Sequence, residues 1–248
     1  DNAQLMIEDV YMHGTGNKFL IHCGEQEPKV LLQKLHGADG LLILSGNETA
    51  NLQMRIFNAD GTEAEQCGNG LRCAALHAYR SRIVPSTTMT IRTLAGLNTC
   101  VVHPERNEVE VTIGFSKSGP LSCNVQVDLI EDLPALEFIS MGNPNAVFWT
   151  EKEPTEVIEK IGPEVVNHEG FPEGINLHVA RFDAPNHATI SSWERGVGPT
   201  LASGTGGASV FVSSKQPPPF VVTSVGGSLT YTMLGDGQIV MAGAAAYD

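Results

Sequence analysis

Gln66-Cys67-Gly68-Asn69-Gly70-Leu71-Arg72-Cys73-Ala74-Ala75 and Ala202-Ser203-Gly204-Thr205-Gly206-Gly207-Ala208-Ser209 read as two copies of one device. Each sets a small nucleophile-type side chain, a thiol in Cys67 and a hydroxyl in Ser203, at a Gly-x-Gly turn. Small residues that can start a helix follow in both. Such a turn aims backbone N–H groups and a helix N-terminus at one spot, which suits a carboxylate and favours a thiolate over a thiol. The two segments lie about half the chain apart, so the pattern predicts an internal duplication.

Outward from these segments, short apolar or alternating runs are broken at frequent intervals by Gly, Asn and Pro, which reads as mainly strand. Predicted strands are 5–11, 19–22, 41–44, 52–57, 89–93, 99–102 and 109–113. After Ser116-Lys117-Ser118-Gly119-Pro120, read as a linker, they resume at 123–129, 138–141, 146–149, 176–182, 189–193, 221–223, 228–232 and 239–242. Helical periodicity appears at 71–82, with Leu71, Ala75 and Leu76 on one side, at 154–161, and at 206–214. The expected fold class is α/β (α+β) in two similar domains, 1–115 and 116–237. Each would wrap strands around a central helix, with the active site in the cleft between them.

The composition sets limits on function. The chain has 248 residues, enough for two cores, and no apolar run long enough for a transmembrane helix. Its net charge of −13 repels phosphate backbones, and the basic residues do not cluster, so neither nucleic acid nor a membrane is an expected partner. Five cysteines (Cys23, Cys67, Cys73, Cys100, Cys123) are too sparse for a disulfide framework and fit a reducing cytoplasm. Cys67 and Cys73 have no second close pair and no His-x-x-x-His partner, which argues against zinc. The chain opens at Asp1 rather than Met, from which we expect that something preceded it.

Two facing devices of this kind would hold an amino acid's α-carboxylate with one acid–base group on either side of the α-carbon. Proton abstraction there without a cofactor needs water exclusion, oriented dipoles on the carboxylate, and a base and an acid on opposite faces. Cys67 meets the local requirements for one of those groups. Cys73, on the expected helix and without such a turn, reads as core packing. A serine-hydrolase reading fails on the absent Gly-x-Ser-x-Gly elbow, since Leu201 precedes Ala202. His168, His178 and His187 carry no local signal for a base partner of Ser203.

Met12-His13-Gly14-Thr15-Gly16-Asn17, Gly37-Ala38-Asp39-Gly40, Phe57-Asn58-Ala59-Asp60-Gly61, Cys67-Gly68-Asn69-Gly70-Leu71-Arg72-Cys73 and Glu194-Arg195-Gly196-Val197-Gly198, taken in order, resemble diaminopimelate epimerase. The resemblance covers residues 5 to 243. It implies a cofactor-free and metal-free enzyme that interconverts LL- and meso-diaminopimelate with two cysteines, serving lysine and peptidoglycan-precursor synthesis. It also implies a last strand that returns to the first domain (238–248), a cytoplasmic setting and a homodimer.

Carried over by motif, Cys67 is one catalytic cysteine, and Ser203 stands where the family places the other. Glu194 resembles the carboxylate near the reacting centre. Gly68, Asn69, Gly204 and Thr205 are similar to positions that hold the α-carboxylate. Asn58, Asn143, Asn176 and Arg195 match the grip on the distal amino and carboxylate groups, and Asn17 matches a further substrate-contacting asparagine. The chain departs from the pattern at Ser203, at Asn145 (usually His), at Pro199 (usually Glu), at Lys18 (usually Asp) and in a shortened stretch before Gly37. A serine hydroxyl is a poor carbon base without a strong partner, so slow inversion is expected. Ser203 stays open to three readings: an introduced Cys→Ser change, a natural one-thiol variant, or a paralogue that binds an amino acid without catalysis. A racemase of another amino acid is the remaining alternative, and the intact distal set argues against it.

Overall fold

The computed structural model describes residues 7–118 and 136–248. The predicted strand at 123–129, Cys123, and residues 119 and 120 of the expected linker lie outside the described residues. The chain divides into two compact units, one ending at Thr112 and resuming at Ala242, the other running from Ile113 to Met241.

The first unit opens with β1 (Val10–Gly14) and β2 (Asn17–Cys23), then α1 (Pro28–Leu32), β3 (Gly40–Ser45), β4 (Leu52–Asn58) and the short β5 (Glu63–Ala64). There follow α2 (Gly68–Arg80), β6 (Thr88–Thr93), β7 (Gly96–His103) and β8 (Glu108–Gly114), which crosses into the second unit. Pairing runs β1–β2 antiparallel, β2–β3 parallel, β3–β4 antiparallel, β4–β6 parallel and β6–β7 antiparallel, with β5 attached to β4.

The second unit repeats that order of hands. It contains β9 (Lys117–Ser118), β10 (Glu137–Ser140), β11 (Pro144–Trp149), α3 (Pro154–Val166), β12 (Asn176–Ala184), β13 (His187–Glu194) and the short β14 (Gly198–Thr200). Next come α4 (Gly204–Ser214), β15 (Phe220–Ser224) and β16 (Gly227–Met233). Here β10–β11 is antiparallel, β11–β12 parallel, β12–β13 antiparallel, β13–β15 parallel and β15–β16 antiparallel, with β14 attached to β13. α3 takes the place of α1 and α4 the place of α2. β17 (Ile239–Ala244) spans the division at Met241, and β18 (Ala246–Tyr247) pairs antiparallel with β1.

The apolar patterning explains this plan. Leu41 and Ile43 of β3 join Leu20, Leu31, Leu35 and Phe57 in a core beneath α1. Alternating with them, Leu42 faces the other way, its Cδ2 lying 3.1 Å from where a Cβ on Gly70 of α2 would sit. A strand buried on both faces reads as a continuous apolar run, and Gly40–Ser45 does. In the second unit Ala146, Phe148, Leu177 and Val179 pack with Ile158, Val165 and Val166 of α3.

Four expectations are corrected. α2 begins at Gly68 rather than Leu71, because Cys67 caps it, and it is buried from Asn69 through Ala78 rather than along one side. A helix enclosed by strands is buried beyond its apolar stripe, so Asn69, Arg72 and His77 lie inside with Leu71 and Leu76. α3 runs past 161 to Val166 with Pro163 inside it; the buried Val165 and Val166 anchor its last turn. Among the described residues the first strand is Val10–Gly14, so 7–9 of the expected 5–11 are not strand while 5 and 6 lie outside those residues, and Lys117–Ser118 of the expected linker forms β9 on β10. Among the described residues, no helix is long and apolar enough to cross a membrane.

Candidate active site

In the first unit Cys67 is the N-cap of α2, with extended backbone (φ −155°, ψ 108°), and its Sγ accepts from the N–H of Gly70 at 3.4 Å. The next N–H groups, Gly68 and Asn69, belong to the helix's first turn, whose donors have no partner within the helix. Asn69, nearly buried, donates from Nδ2 to Asn17 Oδ1 at 2.7 Å and accepts from Arg72 Nη2 at 2.9 Å. Arg72, fully buried, also donates to Thr15 Oγ1 at 2.5 Å and from Nε to Ala244 O at 3.3 Å. It therefore ties the Thr15-Gly16-Asn17 turn to the start of α2. Arg72 stands in the Cys67 motif, with no role assigned to it from sequence. Its signal was available: an arginine one turn into a helix of small residues has to be buried against something polar.

Cys73 sits on the buried face, and burial pushes its thiol up to about 12. It is a packing residue, as its lack of a glycine turn suggested.

In the second unit the geometry repeats with oxygen. Ser203 is the N-cap of α4 (φ −135°, ψ 117°), and its Oγ accepts from Gly206 N–H at 3.0 Å. Gly204 and Thr205 form the first turn, with the Gly204 carbonyl accepting from the Tyr231 hydroxyl at 2.7 Å.

Glu194 ends β13, where the pleat puts it on the same face as Ser192 and opposite Trp193, whose ring packs on Gly162 of α3. The Glu-Arg-Gly-Val-Gly motif is the β13–β14 hairpin, and Gly196 (φ 76°) and Gly198 (φ 94°) supply the left-handed turns that bring β14 back. Burial raises the Glu194 carboxyl above the usual carboxylate range, while hydrogen bonding from the Ser203 and Thr200 hydroxyls pulls it part of the way back. The bond to Thr200 is a loose one, for its buried Oγ1 finds no acceptor at normal hydrogen-bond distance. Ser203 Oγ takes its one bond of normal length from Gly206 N–H, and its hydroxyl lies near enough to Glu194, brought over by the hairpin, to lower the pKa of that carboxyl.

The remaining residues lie in three places. Asn143 lies at the start of α4, its Nδ2 donating to Thr205 Oγ1 at 3.2 Å. Asn176 Oδ1 accepts the backbone N–H of Arg195 at 3.0 Å, and the Arg195 side chain lies over Gly174 and donates to the Glu173 carbonyl. Asn58 stands apart from the Cys67 network, exposed in the β4–β5 turn, its Nδ2 donating to Thr62 Oγ1 at 3.0 Å. Of the departures, Lys18 pairs with Asp248, Pro199 sits exposed opposite Trp193, and Asn145 is fully buried. Among the described residues, no three His, Cys, Asp or Glu side chains converge to hold a metal.

A family profile described as diaminopimelate epimerase matches residues 10–118 and 137–247. This chain belongs to the diaminopimelate epimerase family. It is 32% identical to a diaminopimelate epimerase of Bacillus cytotoxicus over 94% of this chain and 92% of that one. It is 33% identical to one of Desulfitobacterium hafniense over 97% and 96%. In fold it is similar to a Bacillus anthracis phenazine biosynthesis protein of the PhzF family (TM-score 0.68, 19% identity, 97% of both chains). It is similar also to a hydroxyproline epimerase of Agrobacterium vitis (TM-score 0.65, 13% identity, 97% and 90%). The duplicated sheet-and-helix plan is thus shared with structures that keep little of the sequence.

Proposed function

We propose that the chain binds diaminopimelate and acts at its α-carbon as an epimerase-type acid–base protein, with Cys67 on one face and Ser203 with Glu194 on the other. The observation that carries this is the matched capping: both nucleophile-type side chains are N-caps of the central helices, at equivalent points of the two repeats. The partial positive charge and unpaired N–H groups of a helix N-terminus favour a carboxylate there. The backbone of Gly68, Asn69, Gly204 and Thr205 would hold the α-carboxylate and stabilise the carbanion's developing enolate charge. Asn17, Asn58, Asn143, Asn176 and Arg195 would hold the rest of the ligand, the planar guanidinium of Arg195 suiting its distal carboxylate.

Inversion takes a proton off one face and returns one to the other. A thiol manages either role near neutral pH, whereas a serine hydroxyl titrates far too high to act as a carbon base alone. Glu194 beside Ser203 offers a carboxyl of raised pKa, yet a carboxylate remains a weak base for an α-proton. Cys67 would therefore remove and return the proton on its own face, giving exchange without inversion.

The test is deuterium incorporation at the α-carbon of diaminopimelate, followed together with stereochemistry. We expect exchange with retention in the unmodified chain and its loss in Cys67→Ser. Exchange that survives Cys67→Ser contradicts the assignment. A homodimer and a cytoplasmic setting remain part of this reading, supported by the family pattern and the sparse cysteines; light scattering at defined concentration tests the first.

A further inference from the structure

Arg195 stands exposed at the turn of the β13–β14 hairpin, where a long side chain ordinarily samples many rotamers. In this fold a neighbouring segment, 171–176, holds it. Its backbone N–H donates to Asn176 Oδ1 at 3.0 Å, and its guanidinium donates to the Glu173 carbonyl. Its aliphatic stem fills the place where a side chain on residue 174 would stand. A Cβ built on Gly174 would overlap Arg195 Cδ and Nε and lie 2.9 Å from Cγ.

The segment itself is pinned on both sides of that glycine. The Gly174 N–H donates to the Phe171 carbonyl at 2.8 Å, and Phe171 and Ile175 are both buried in the core that packs against α3. A Cβ at 174 would therefore be accommodated by Arg195, which would leave the cradle for solvent. Gly196 supplies the contrast. Its φ of 76° equals that of Gly174, yet a Cβ on Gly196 would meet nothing within 4 Å. A left-handed turn accounts for the glycine at 196; the glycine at 174 must also admit the Arg195 stem.

We infer that Gly174 is a specificity-determining positioning residue, which holds Arg195 in place and thereby sets the preference for a ligand with a second carboxylate over the same amine without one. This rests on the reading of Arg195 as the grip on the distal carboxylate, and adds what holds that grip. A guanidinium already held in place loses little freedom when it pairs with a carboxylate, whereas a loose one has its rotamers still to lose. Only the ligand that carries the second carboxylate feels the difference.

Two measurements decide it. Binding of diaminopimelate and of lysine, which lacks the second carboxylate, is compared by titration calorimetry in the unmodified chain, Gly174→Ala, Arg195→Gln and the double variant. The unmodified chain should prefer diaminopimelate. Gly174→Ala should cut that preference about fivefold, and should cut it no further when Arg195→Gln is already present. Gly37→Ala is the control for backbone strain: Gly37 lies in the other unit with φ 90° and nothing within 4 Å of its Cβ position, so the ratio should hold within about twofold. A merely structural glycine would weaken both ligands alike in Gly174→Ala, which would overturn the inference, as would equal binding of both ligands by the unmodified chain. Should Gly174→Ala not fold, Gly174→Asn replaces it, since asparagine tolerates the left-handed region but still carries a Cβ. The second readout needs no ligand. Nitrogen-15 relaxation of the Arg195 Nε–H, identified by its absence in Arg195→Gln, should report a held side chain in the unmodified chain and a mobile one in Gly174→Ala; equal mobility in both overturns the inference. If the unmodified chain binds neither ligand, the proposed function fails and the specificity claim with it, while the relaxation still decides whether Gly174 holds Arg195.

Discussion

At the scale of single residues, the two caps differ in the one atom that matters for acid–base chemistry, and their surroundings differ accordingly. Cys67 accepts the Gly70 N–H in a turn whose Asn69 is held by the buried Arg72, while Ser203 lies near the Glu194 carboxyl. Glu194 has a folded-state pKa above its ordinary value, with burial the main cause. Between those two values the folded chain binds more protons than the unfolded one, so the charge costs stability as pH rises through the window. Glu194→Gln should therefore raise the thermal midpoint near pH 7, with the gain shrinking toward about pH 4; thermal melts across that range check it. His178 has the opposite sign for stability: its folded pKa is depressed to about 3, so its contribution is present above the ordinary histidine value and is lost as pH falls toward about 3. The acid-side loss of stability should be shallower in His178→Gln, measured by urea unfolding at stepped pH. The caps carry weight themselves: Ser203→Ala should cost about 1 kcal/mol by urea unfolding.

At the scale of elements, strands were the more legible part of the sequence and central helices the less. The runs at 41–44, 52–57, 89–93 and 221–223 emerged as strands within a residue or two at each end, because β-branched and apolar runs between Gly and Pro leave little choice. α2 and α4 were blurred at their starts for a physical reason. Gly68, Gly70, Gly204, Gly206 and Gly207 have poor helix propensity, and at Gly70, Gly204, Gly206 and Gly207 side chains of the surrounding strands leave little room for a Cβ. A Cβ on Gly207 would meet the Tyr231 hydroxyl at 2.2 Å. Gly207→Ala, which would help an exposed helix, should here destabilise by about 1–3 kcal/mol, with chemical denaturation as the check. Burial on all sides also predicts dynamics: amides of α2 and α4 should exchange slowest with deuterium, and those of the five-residue α1 far sooner.

At the scale of the whole molecule, the chain is one plan used twice, with the same succession of parallel and antiparallel pairs in each unit and a capped central helix at the same point of both. The two glycine segments and their separation made the repeat legible; the order of pairings did not show, since register depends on contacts far apart in sequence. The partners of Ser203 and Asn145 were illegible for the same reason. Glu194 reaches Ser203 through a hairpin, and His178 reaches Asn145 from the neighbouring parallel strand. We propose that this duplicated scaffold keeps an epimerase-type site in which the oxygen of Ser203 stands where a second thiol is needed. The most direct test is interconversion of LL- and meso-diaminopimelate by Ser203→Cys beside the unmodified chain. We expect strong inversion in Ser203→Cys and little in the parent; inactivity of both, or a parent as fast as the variant, would show that Ser203 is not the missing second acid–base group.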